Sequence, residues 1–237
     1  MTKKNWFFRI FFYILSLLCL ALGIILNTKT ELGVSPIISV AYSTSEVLHL
    51  NFGNVTFALY AIFVVVELII RGKNRRYTDL LQLPLSLVFT RVMNFYNDYI
   101  PIHLHSFPAK FLLLLLAIVL TGIGAAMSVN MKLVPNPGDG IVNAIAEVTG
   151  KTMGITKNMF DALNISITFM IGLVSGHFLL GIGVGTVVAV LGVGRVVAVF
   201  NYLCKKPMAK LAGLDTEEEG TEEEMEADYI LSEQTED

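Results

Sequence analysis

The sequence predicts an all-α, polytopic membrane helical bundle made of two inverted repeats, each with three spans and one Pro-led re-entrant half-helix. Three observations predict it. The chain is 54% hydrophobic and only 16% charged, against about 25% charged in soluble domains. Several windows near the length of a membrane-spanning helix carry almost no charge. Two short segments break that pattern in the same way. Glu31-Leu-Gly-Val-Ser-Pro36 and Lys132-Leu-Val-Pro-Asn-Pro137 place turn residues where a further span would begin. Each is followed by an apolar run of only about half the length that crosses a bilayer. A transmembrane β-barrel would show alternating segments of about 10 residues, which the sequence lacks.

The elements follow in order. Residues 6–27 form the first span, entered through the interfacial aromatics Trp6, Phe7 and Phe8. Lys3-Lys4 before an apolar run resembles a signal peptide. However, the run continues to Leu26 without a small-x-small cleavage site, so it reads as an uncleaved span. The polar stretch 28–31 leads to the first half-helix, 36–49. Asn51-Phe-Gly53 turns the chain into the second span, 54–70, and Arg71–Arg76 is a strongly basic loop. The third span is 79–98, and residues 101–108 link it to the fourth, 109–130. The second half-helix is 138–149, the fifth span 155–173 and the sixth 178–203, with Lys205, Lys206 and Lys210 closing the membrane part. Repeat 1 is therefore residues 1–105 and repeat 2 residues 106–212.

Residues 213–237 form an acidic tail that holds 12 of the 20 acidic residues. That leaves 8 acidic against all 17 basic residues in 1–214, so the membrane part carries a charge of +9. The tail has too little apolar surface to fold alone and is expected to be disordered and cytoplasmic.

The repeat is visible at an offset of 101. Gly23 meets Gly124, Leu32 meets Leu133, Pro36 meets Pro137, Glu46-Val47 meets Glu147-Val148 and Gly53 meets Gly154. At an offset of 104, Arg91-Val92 meets Arg195-Val196 and Asn97 meets Asn201. Charge then sets the topology. Lys and Arg in short loops favour the cytoplasm, which puts Lys3, Lys4, Arg9 and the loop 71–76 on that side. Only two crossings fit between them, so the half-helix returns to the side it came from. Three crossings per repeat is an odd number, and the repeats are inverted. Four full spans per repeat would put the loop 71–76 outside. Residues 50–53 are too few to climb from the midplane to a surface, whereas residues 28–35 can make that dive. The half-helix N-termini at Ser35-Pro36 and Asn136-Pro137 should therefore lie deep.

A deep helix N-terminus offers unpaired N–H groups and a positive dipole end, which lipid cannot satisfy. Two such ends converging by an inverted repeat describe the binding site of many secondary transporters. The candidate substrate-binding residues are Ser35, Ser39, Asn136, Asp139 and Asn143; the bland account is that they cap and pack. Asp139 either complements the dipole of its half-helix or titrates near the midplane and couples transport to a proton or Na⁺. Arg91 and Arg195 either face a cavity or snorkel to an interface. Glu46 and Glu147 sit where the half-helix dipole disfavours them, as gating residues or as exposed ones. Asp161 is a candidate partner for Lys157, one turn earlier, with Tyr60 in its place in repeat 1.

Other signals are discounted. Gly181-Ile-Gly-Val-Gly185 lies in an apolar stretch without a preceding strand, so close helix packing explains it better than nucleotide binding. His49, His103, His105 and His177 are scattered and form no ligand set. Cys19 and Cys204 suit neither a disulfide framework nor a metal site. No nucleophile–base pairing supports catalysis, so no enzyme, metal or cofactor is expected. The expected partners are the lipid bilayer and an unidentified small solute; nucleic acid is not among them, and a homodimer stays open.

Gly23 followed by Leu32-Gly-Val-Ser-Pro36 and a short helix resembles the YczE and YitT-like group of bacterial integral membrane proteins, over roughly residues 6–205. The acidic tail in place of a soluble C-terminal domain brings the chain closer to YczE. The resemblance implies a bacterial cytoplasmic membrane protein, with both termini cytoplasmic by the charge rule, and supplies no substrate. The expectation is a small secondary transporter or exporter. The alternative is a non-transporting accessory protein that binds a partner protein or lipid.

Overall fold

The computed structural model describes residues 2–214. The acidic tail beyond Leu214 lies outside the described residues. Eight α-helices stand among the described residues: α1 (Lys3–Lys29), α2 (Pro36–Leu48), α3 (Phe52–Arg71), α4 (Gln82–Tyr99), α5 (Phe107–Asn130), α6 (Pro137–Thr149), α7 (Met153–Ser175) and α8 (Val184–Ala212). Two 3₁₀ turns, Gly72–Asn74 and Tyr77–Leu81, carry the chain from α3 to α4.

Five helices are long and apolar enough to cross a membrane: α1, α3, α5, α7 and α8. The third expected span, α4, is not among them, because Gln82, Arg91, Asn94, Asn97 and Asp98 are spread along its 18 residues. The two half-helices have 13 residues each, about 20 Å at 1.5 Å per residue, short of the ~30 Å hydrocarbon core. The last helix also departs from its expected bounds of 178–203. It starts at Val184, because left-handed glycines at Gly176 and Gly181 break the chain before it. It runs on to Ala212, because Met208, Ala209 and Ala212 are buried against Tyr13, Met127 and Met131.

The local structure recurs at an offset of 101. Each half-helix has Pro at its first position, and both end in a left-handed residue, His49 and Gly150. Glu31 and Lys132, which start the two dives, both have positive φ. Asn51 and Thr152 cap α3 and α7 with their side chains.

Side-chain and cap contacts fix which ends lie together. Arg9 donates to the carbonyls of Met131 and Lys132 at 2.8 Å, so α1 and α5 run antiparallel. Asn130 donates to Asn201 at 2.8 Å. Glu147 pairs with Arg71 and Arg76. These groups gather at the end where α1 begins. At the opposite end Lys29 donates to the Asn97 carbonyl, and Lys110 pairs with Glu31. Lys110, aided by His103 and His105, holds the Glu31 carboxyl below its ordinary range, the hydrogen bond being the larger cause.

The half-helices are swapped between halves. α2 packs mainly on α7 and α6 mainly on α3. The main core joins α1, α2, α3, α4, α6 and α7 through Ile25, Ile38, Tyr60, Phe89, Met93 and Phe160, among others. One difference breaks the pattern: α4 packs along α3, whereas α8 leans on α5 and stands off α7.

Candidate functional site

The space left by α8 is a cavity of about 460 Å³. Ser35, Pro36 and Ile37 line it from the α2 N-terminus, and Asn136 and Asp139 from the α6 N-terminus. The two N-termini touch, since a side chain at Gly138 would collide with Ile37. Four residue pairs at the 101 offset meet there: Leu20 with Thr121, Ile24 with Ala125, Ser35 with Asn136 and Tyr60 with Asp161. The remaining walls come from one side only, through Gly154, Lys157 and Asn158 of α7 and Val193, Val197 and Asn201 of α8. The counterparts Gly53 and Thr56 are buried, and Gly53 donates to the Asn94 side chain at 3.1 Å, closing α3 onto α4. Around Gly154 there is open space.

The cavity extends toward the end where α1 begins, through Met153, Val129 and Asn201. Toward the other end, the stretch after α1 binds the turn before α8. Gly185 donates to the Leu32 carbonyl at 2.7 Å, and Val34 donates to Gly181 at 3.0 Å.

The expected site residues divide. Ser35, Asn136 and Asp139 line the cavity. Ser39 does not: it is fully buried and its Oγ shares a 2.7 Å hydrogen bond with Thr168 Oγ1, which fastens α2 to α7. Asn143, one turn beyond Asp139 on α6, is not in the lining either. Arg91 is exposed in an apolar groove formed by Leu18, Val88 and Phe95. Arg195 is exposed and donates to its own helix at Leu191, 2.7 Å away. Glu46 is exposed at the end of α2. Arg91 stands off the cavity because no residue of α4 lines it, and Arg195 and Glu46 because α8 and α2 line it with other residues.

Glu147 instead joins a buried network. Arg71 lies 3.3 Å from Glu67, 3.6 Å from Asp79 and 3.5 Å from Glu147. Gln82 donates to Glu67 at 2.9 Å. A Cβ at Gly140 would fall 2.7 Å from Glu67, so only glycine lets this pair reach the α6 backbone. The corresponding positions in the other half are Ser39 and Thr168, which bond directly. Glu67 and Gln82 carried no motif in the sequence. Their signal was a carboxylate inside an apolar span, one turn before Arg71.

Asn158 emerges only in three dimensions, and Tyr60, in the sequence merely the counterpart of Asp161, also lines the cavity. Asp161 and Lys157 had shown a helical spacing but no reason to face a site. Asp161 is 9% exposed and lines the cavity.

The described residues are all-helical, with five helices long and apolar enough to cross a membrane and a polar-floored cavity at two half-helix N-termini. Residues 7–202 match the model of a family of unknown function (DUF6198), and the chain belongs to that family. No curated protein and no solved structure matches it.

Proposed function

We propose that the protein is a small secondary transporter or exporter of a small solute across the bacterial cytoplasmic membrane, bound between the two half-helix N-termini. The observation that carries this reading is the 460 Å³ cavity with Ser35, Asn136, Asp139 and Asp161 on its floor. Deep, non-helical backbone is tolerated only where it lines such a cavity, and inverted-repeat transporters bind substrate there. The recurrence at offset 101 supports two inverted repeats, residues 1–105 and 106–212, with α4 as the sixth span in contact with α1 and α3. The asymmetry supports alternating access. The α3–α4 seam is closed at Gly53 while the α7–α8 seam is open at Gly154; exchanging the two would open the opposite end. The motif Leu32-Gly-Val-Ser-Pro36 supports kinship with the YczE and YitT-like group.

The charge rule orients the molecule. Lys3, Lys4, Arg9, the loop 71–76, Lys205 and Lys206 lie at the end where α1 begins, which is then cytoplasmic together with both termini. Single cysteines at Lys73 and His103, in a background lacking Cys19 and Cys204, test this. An impermeant maleimide is expected to label His103→Cys from outside and to leave Lys73→Cys unlabelled. Labelling of both overturns the inverted topology.

Asp139 tests transport itself. Its amide donates to the Asn136 carbonyl at 2.9 Å and the residue lines the cavity. Asp139→Asn keeps the shape and loses at most about 1 kcal/mol of dipole interaction. Its melting temperature is therefore expected to stay close to wild type, while pH-dependent solute flux in liposomes disappears. Unchanged flux with unchanged pH dependence assigns the carboxylate to the dipole alone. An absence of flux from both forms favours the accessory-protein reading.

A further inference from the structure

The two half-helix ends that meet in the cavity differ in what they offer a ligand. At α6 the chain satisfies its own amides. The Asn136 side chain accepts the Gly138 N–H at 3.0 Å, and its carbonyl accepts Asp139 and Gly140 at 2.9 and 2.8 Å. What α6 presents is the Asp139 carboxylate. Asp161 lies within electrostatic reach of it across the same cavity. Asp161 is nine-tenths buried and has no hydrogen bond or ion pair within 4 Å to any described residue. Lys157, one turn away, is exposed and also outside ion-pair distance. A largely buried carboxylate whose one attractive charge among the described residues, Lys157, stands outside ion-pair distance has room for a further cation.

At α2 the situation is reversed. Ser35 adopts extended geometry, but its side chain makes no cap bond. Pro36 has no N–H. The next amide, on Ile37, has no acceptor among the described residues, and Ile37 lines the cavity. A free amide, a free hydroxyl and a positive dipole end receive an anion. Counting about +0.5 for each helix end with Lys157, Asp139 and Asp161, the site is close to neutral. It therefore suits a ligand with no net charge but with both signs.

We propose that the cavity binds a zwitterion of the amino-acid type, its ammonium between Asp139 and Asp161 and its carboxylate at the α2 N-terminus. The apolar walls, Ile24, Ala125, Val129 and Val193 among them, take the side chain. This proposal rests on the transporter reading and narrows its substrate class.

The test uses the full chain in detergent. The proteinogenic amino acids are screened one at a time by thermal shift, followed by the decarboxylated amine and the deaminated acid of each that binds. At least one amino acid with an apolar side chain is expected to raise the melting temperature saturably. Its amine and its acid are each expected to bind at least about tenfold more weakly, the loss of one charge-assisted contact. Asp161→Asn is expected to weaken the amino acid and the amine but to spare the acid. Ser35→Ala is expected to weaken the amino acid and the acid but to spare the amine. The ligand-free melting temperature of each variant reports folding, and Asp161→Glu, which keeps the charge, is expected to restore part of the affinity. No shift with any amino acid, or an amine or acid that binds as tightly as its parent, overturns the zwitterion. If the cysteine-labelling topology and the Asp139-dependent flux hold while no amino acid binds, the substrate class falls and the transporter stands.

Discussion

Replacing Arg71 by Met is expected to cost about 3–5 kcal/mol of stability, the usual result of breaking a buried ion pair from one side. The Arg71 side chain is 4% exposed and that of Glu67 is not exposed at all. Without the guanidinium, Glu67 keeps only the Gln82 amide, at 2.9 Å, and Asp79 loses its nearest cation. Two buried carboxylates would then face each other at the end of α3. The melting temperature and the monodisperse fraction of purified Arg71→Met report the loss. Combining it with Glu67→Gln removes a charge of each sign, and such replacements are often close to neutral. The double variant is therefore expected to regain much of the stability, giving a clear coupling term in a double-mutant cycle. Glu147 is 42% exposed, so Glu147→Gln is expected to cost less than about 1 kcal/mol. An Arg71→Met protein as stable as wild type would show that water reaches the network and that it carries little of the α3–α4–α6 packing.

The network also shows why the sequence could foretell some of this molecule and not the rest. Helix positions follow from local signals, and those were strong. Pro at the first helical position, left-handed ends and side-chain caps mark α2, α6 and the starts of α3 and α7 to within a residue or two. The offset of 101 linked the same landmarks before any contact was known. Apolar composition marked five long helices, but α4 depends on tertiary packing of Phe89 and Met93, and composition alone ranks it below the others. The site was half legible. Ser35, Asn136 and Asp139 followed from chain direction and reach. Arg91, Arg195 and Glu46 did not reach the cavity, because which face of a helix meets the centre is set by its neighbours, and an apolar bundle in lipid gives a weak helical stripe. That Asp161 faces the cavity, and that Glu67 faces α6, was hidden for the same reason. What makes the cavity is the distance between α7 and α8, which has no local signature at all.

The α1–α5 crossing gives the second large effect. Gly124→Leu is expected to cost more than about 3 kcal/mol, beyond the common range of 1–3 kcal/mol for overpacking. A Cβ at Gly124 would fall 2.6 Å from the Leu20 nitrogen and 2.8 Å from the Ser16 carbonyl oxygen. Both are backbone atoms, so no side chain can rotate away and α1 must move bodily. Gly23 is its counterpart, and its Cβ would fall 2.7 Å from the Thr121 nitrogen and 2.9 Å from the Ala117 oxygen. These are the same contacts 101 residues on, seen from the other helix. Small residues of this kind let backbones approach closely in lipid, where packing replaces the hydrophobic drive. Because the two contacts are equivalent, Gly23→Ala and Gly124→Ala are expected to destabilise by similar amounts, each about 1–3 kcal/mol. Their double variant is expected to cost less than the sum, since one outward shift of α1 relieves both collisions. Gly194 on α8 supplies the contrast: a Cβ there meets nothing within 4 Å. Gly194→Ala is expected to be neutral or to stabilise by up to about 1 kcal/mol, from helix propensity alone. Melting temperatures of the five variants decide the matter. If Gly124→Ala proves as harmless as Gly194→Ala, the helices do not approach closely at that point, and the equivalence of the Gly23 and Gly124 contacts goes with it.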